Sequence, residues 1–109
     1  MNILYCGVKQ EIKKLAEEIH SRFDYNGEYV ESAELSTSIK KLRRAISRND
    51  ILIIDLSFIS STTAILIALA EEHNLEIIGY YLQEPPQKTR YSDVCDAILN
   101  VDDIVDYIE

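Results

Sequence analysis

Residues 51–56 read Ile-Leu-Ile-Ile-Asp-Leu, an unbroken apolar run ended by one acid. A strand facing water on one side alternates apolar and polar residues, whereas this one is apolar on both faces. That pattern belongs to a central strand of a parallel sheet, covered by helices above and below. Parallel neighbours need crossover connections, so the flanking sequence has to supply helices.

It does. A short apolar strand at 2–6 closes on Gly7, and a helix at 9–23 follows. There Ile12, Leu15, Ala16, Ile19 and Phe23 recur at three- and four-residue steps and form one face. Asn26-Gly27 marks a turn before an edge strand at 28–32. Ser36 or Thr37 can cap a second helix running to about Arg48, with Leu35, Ile39, Leu42 and Ile46 directed inward. Ser60, Ser61 and Thr62 offer caps for a third helix at 62–73. A second doubly apolar strand covers 76–82, a polar loop with Pro85-Pro86 covers 83–96, a strand covers 97–101, and a helix covers 102–108.

Strands alternating with helices, joined by right-handed crossovers, give an α/β fold. Five strands in one 109-residue domain fit a three-layer, doubly wound, flavodoxin-like architecture with a parallel sheet in the order 2-1-3-4-5. In that order a ligand crevice opens at the carboxyl ends of strands 1 and 3, where the winding reverses. The segments expected around it are 5–8, 55–63, 80–84 and 33–37.

Charge narrows the partners. Eleven Lys and Arg against nineteen Asp and Glu give a net charge of −8, which disfavours nucleic acid despite the basic run Lys40, Lys41, Arg43, Arg44 and Arg48. No apolar run is long enough to span a bilayer, and the first residues lack the form of a signal peptide, so a cytoplasmic protein is expected. Cys6 and Cys95 are then free thiols. The richness in Ile, Glu, Lys and Tyr leans toward a thermophile. His20, His73 and the acids Asp93, Asp96, Asp102, Asp103, Asp106 and Glu109 show no metal-ligand spacing, so neither metal nor cofactor is implied.

Chemistry concentrates at the expected crevice. Asp55 ends the most buried strand, near water yet walled by apolar residues, and can act as a catalytic acid or base or accept ligand hydroxyls. The alternative is a carboxylate spent on a backbone amide. Ser57, Ser60, Ser61, Thr62 and Thr63 lead into a helix start, where free N–H groups bind anions, although N-capping explains the same pattern. Cys6 and Gly7 lie at the tip of strand 1. Tyr80, Tyr81 and Tyr91 offer rings for stacking on a base, or for ordinary surface packing. Neither a Gly-rich dinucleotide motif nor a P-loop occurs, and a second acid at the end of strand 1, needed for a receiver domain, is missing.

The third helix, Thr63-Ala64-Ile65-Leu66-Ile67-Ala68-Leu69-Ala70, is apolar all round. That predicts a homo-oligomer packed through Ile65, Leu66 and Leu69, unless the last helix or the long loop covers them.

Residues 49–109 resemble the nucleoside 2-deoxyribosyltransferase-like family. The matching stretches are Asn49-Asp50-Ile51-Leu52-Ile53-Ile54-Asp55-Leu56-Ser57, a Ser/Thr-rich loop before Thr63-Ala64, Ile77-Ile78-Gly79-Tyr80-Tyr81, and the closing Cys95-Asp96-Ala97-Ile98-Leu99-Asn100 strand and helix. The resemblance implies binding of a nucleotide-like small molecule. The family's Gly-Thr-x-x-Glu-x-Gly-x-Ala pattern places its nucleophilic Glu on Leu66, with Ala68 in place of the Gly. Leucine cannot form a glycosyl ester. The resemblance therefore implies binding without the glutamate chemistry. The alternatives are an N-glycoside hydrolase or transferase using Asp55, and an interaction module working through the third helix.

Overall fold

The computed structural model describes residues 1–31, 38–57, 59–82 and 93–108. Five strands, β1 (Asn2–Gly7), β2 (Asn26–Glu31), β3 (Ile51–Asp55), β4 (Glu76–Tyr81) and β5 (Ala97–Asn100), form one sheet in the order β2-β1-β3-β4-β5. All four pairings are parallel, as the doubly apolar strands require. Helices α1 (Lys9–Arg22), α2 (Ile39–Arg48) and α3 (Ser61–Glu72) make the crossovers, and α4 (Ile104–Ile108) follows β5.

Strand alternation divides the core in two. Ile3, Tyr5, Ile51, Ile53, Ile78 and Tyr80 pack with Ile12, Leu15, Ala16 and Ile19 of α1 and with Ile104 and Val105 of α4. On the other face Leu4, Cys6, Leu52, Ile54 and Ile77 pack with α2 and α3. The helix after β1 and the helices after β2 and β3 thus cover opposite faces, so the winding reverses between β1 and β3. No described helix is long and apolar enough to cross a membrane.

Several boundaries differ from the sequence reading. Asn26 and Gly27 open β2 instead of forming a turn. Asn26 N donates to Met1 O at 3.1 Å and pairing begins there, because a parallel neighbour needs no hairpin. Gly27 also admits α1: a β-carbon there would stand 2.9 Å from His20 Nε2. The cap of α2 is Ser38, whose Oγ accepts from Lys41 N at 3.3 Å. Leu35, Ser36 and Thr37 lie outside the described residues. Ile39, expected inward, is 55% exposed, since it is the first helical residue, one turn ahead of Leu42 where burial begins. The last helix is split: Asn100 Oδ1 accepts from Asp102 N at 3.0 Å and caps a 3₁₀ turn at Val101–Asp103 before α4.

The third helix calls for the largest correction. Leu66 and Leu69, expected on an outer face, are buried inside the subunit with α2 and the sheet, and Ile65 is half-buried. What α3 leaves exposed is Ser61, Ala68, Glu71 and Glu72. Ala64 and Ile65 lie half-buried beside them.

Candidate functional site at the strand switch point

The carboxyl ends of β1, β3 and β4 meet where the winding reverses. By alternation Gly7, Asp55 and Tyr80 continue the rows Ile3–Tyr5, Ile51–Ile53 and Ile78, and so fall on the α1 face. Asp55 pairs in register with Tyr80, and Leu56 N donates to Tyr80 O at 2.8 Å. A β-carbon placed on Gly7 would meet the Tyr80 hydroxyl, the Asp55 Cβ and Ile12 Cδ1 of α1. The absence of a side chain at position 7 is what lets these groups converge.

Asp55 is 5% exposed, and its Oδ1 accepts from Ser57 N at 2.8 Å, the amide-bonded arrangement that the sequence left as an alternative. This is the hydrogen bond Asp55 makes among the described residues. Tyr80 is 1% exposed, and its hydroxyl has no hydrogen-bond partner. Glu11, in the first turn of α1, also holds one buried oxygen, Oε2, without a partner. Burial first, then the charges of Asp55, Glu11 and Cys6, push the Tyr80 phenol far above its usual range, so it remains a neutral hydroxyl.

The other expected residues sort differently. Cys6 is fully buried on the α2 and α3 face, and burial with the nearby Asp55 charge pushes its thiol up to about 12. It is a packed apolar group, poorly placed to meet a ligand. Ser60 and Thr63 bond to each other: Ser60 Oγ accepts from Thr63 N at 3.2 Å, and Thr63 Oγ1 accepts from Ser60 N at 3.3 Å. This capping box uses the hydroxyls expected to hold an anion. Thr62 is buried, while Ser57 and Ser61 are exposed. Tyr81 is half-buried and, by alternation, on the face opposite Tyr80; Tyr91 lies outside the described residues. Among the described residues no His, Cys, Asp and Glu group could hold a metal ion.

The sequence marks Tyr80 only as a stacking ring and does not mark Glu11 as a functional candidate. Tyr80 shares the parity of Ile78, which was the available signal for its inward direction.

With this geometry in place, solved structures fix the fold class. A 3-dehydroquinate dehydratase-like protein from Bifidobacterium longum superposes with a TM-score of 0.62 at 12% identity, over 100% of this chain and 98% of that one. A protein from Burkholderia pseudomallei described as related to pilus assembly superposes with a TM-score of 0.69 at 13% identity, over 99% of this chain and 86% of that one. The chain has the flavodoxin-like α/β fold. At such identities the likeness extends to fold alone. No family model matches the chain, and no curated protein sequence matches it. The resemblance to the deoxyribosyltransferase-like family is thus supported only as a shared class of fold.

Proposed function

We propose that this protein binds a nucleoside-like small molecule at the carboxyl edge of the sheet, between the ends of β1 and β3. The observation that carries this reading is the Tyr80 hydroxyl, buried, unpartnered and beside Asp55. A buried hydroxyl without a partner costs about 1–3 kcal/mol, and a ligand that bonds to it recovers that cost. Doubly wound folds bind their ligands at this switch point. In this reading Asp55 accepts ligand hydroxyls and Tyr80 donates to the sugar.

Binding is favoured over glycosyl transfer by one observation. Leu66, at the slot of the family's glutamate, is fully buried in the apolar core and offers neither a carboxylate nor access. A phosphate is disfavoured as well. Asp55 and Glu11 repel it on one face, and on the other the capping box occupies Ser60 and Thr63.

The test is thermal unfolding against ribonucleosides, 2′-deoxyribonucleosides, nucleotides and NAD, with Asp55→Asn as the control. A nucleoside at one hundred times its Kd stabilises by about 2.7 kcal/mol, a shift of several degrees. The expected result is such a shift, reduced in Asp55→Asn. A flat response across the panel overturns the reading.

A further inference from the structure

At the opposite edge of the sheet, where the strands begin, a cavity of about 380 Å³ opens beside the end of α4. Its volume equals that of about a dozen liquid waters and lies in the range of small-molecule pockets. Ile51 and Ile78, from the first turns of chain in β3 and β4, and Ile108 of α4 give it apolar walls. Tyr25 and Tyr107 add two phenol rings, and Glu76, the first residue of β4, adds a carboxylate. Glu76 and Tyr107 are exposed, so the cavity is reached from solvent.

Negative charge gathers at this edge. Glu76 Oε1 accepts from the Tyr107 hydroxyl at 3.4 Å, and among the described residues no cation is paired with Glu76, the Met1 amine included. Two more acids flank it: Asp50, whose backbone O accepts from Glu76 N at 3.2 Å, and Asp96, whose Oδ2 accepts from Ile77 N at 2.8 Å. Helices α1, α2 and α3 run back against the strands, and each ends a few residues before a strand begins here. Their carboxyl ends bring partial negative charge to the same side of the molecule.

This charge selects the ligand. An anion is repelled, whereas a cation is attracted by the carboxylate, by the helix ends and, over a ring face, by tyrosine. The isoleucine walls call for an apolar body behind the charge. We infer that this cavity binds an organic ammonium ion with an aromatic or alkyl body. The site is separate from the switch point, and the inference stands whether or not a nucleoside binds there.

Phenethylammonium, 2-phenylethanol and phenylacetate share a benzyl body and differ in charge, and titration of each into the protein, followed by NMR, tests the inference. The cation is expected to bind with a Kd of about 1 mM. It should bind about tenfold tighter than the neutral alcohol, roughly fivefold from the carboxylate and twofold from a ring, and phenylacetate should bind more weakly still. Resonance shifts should centre on Ile51, Ile78 and Tyr107. Glu76→Gln should remove about fivefold of the cation's affinity and leave that of the alcohol unchanged. A cation bound no tighter than the alcohol or the acid, shifts centred elsewhere, or no shift at about 20 mM cation overturns the inference. Undiminished cation binding by Glu76→Gln overturns it as well. The charge series on the wild type decides the matter even if that variant fails to fold.

Discussion

Gly7 and Tyr80 occupy each other's space: a β-carbon on Gly7 would collide with the Tyr80 hydroxyl and stand 3.1 Å from the Asp55 Cβ. The sheet brings the ends of β1 and β4 to the same corner, one strand apart, and only glycine at position 7 leaves room for the phenol.

Gly7→Ala should therefore destabilise the protein by overpacking, about 1–3 kcal/mol. Backbone strain adds nothing, since no glycine has a positive φ. Because the colliding atom is the hydroxyl, Tyr80→Phe in the Gly7→Ala background should restore part of the loss. Urea unfolding of both single variants and the double variant measures this coupling. Strictly additive effects would show that the clash is relieved some other way.

The two sides of α3 should respond in opposite ways. Leu66 is fully buried, so Leu66→Ala should cost about 2–5 kcal/mol. Ala68 is exposed, and Ala68→Glu should stay within about 0.5 kcal/mol of the parent. Chemical unfolding of the two variants checks both numbers. A large loss from Ala68→Glu would mean that the outer strip is covered after all.

Alkaline pH should weaken the fold. Burial raises the Cys6 thiol from 9.0 to about 12, and the phenols of Tyr5 and Tyr80 are raised in the same direction from 10.0. Between those limits the unfolded chain has lost protons that the folded chain retains, so stability falls as pH rises. The contribution of Cys6 is complete below about pH 9 and is lost progressively toward pH 12. Urea midpoints measured from pH 7 to pH 11 should decline above pH 9, less steeply in Cys6→Ala. Native Cys6 should also resist alkylation at pH 8 until denaturant is added.

Much of the fold could be read from the chain. The run at 51–56 required a central parallel strand, and the spacing of Ile12, Leu15, Ala16 and Ile19 required a helix laid on it. Strand order followed from connection handedness and short crossovers, and the observed order agrees. Ser60, one of three cap candidates for the third helix, is the cap. The errors lie where periodicity says nothing about what covers a face. The all-apolar third helix suggested Leu66 and Leu69 on an outer face, yet α2 and the sheet bury both within the chain. Asn26-Gly27 looked like a turn because a dipeptide cannot report that its backbone has a parallel partner in Asn2 and Ile3.

The sequence by itself determined the layering of this protein, because hydrophobic period is a local property that adjacent residues express together. It also pointed to Asp55 and the segment 80–84 at one sheet edge, but only the tertiary structure shows which groups there lack a partner. Asp55 and Tyr80 are separated by a long stretch of chain, and nothing local marks them as neighbours. They meet because parallel register sets Asp55 beside Tyr80. Whether a buried polar atom has a partner depends on groups from different strands and helices, so only the folded chain reveals Tyr80 as a hydroxyl without one.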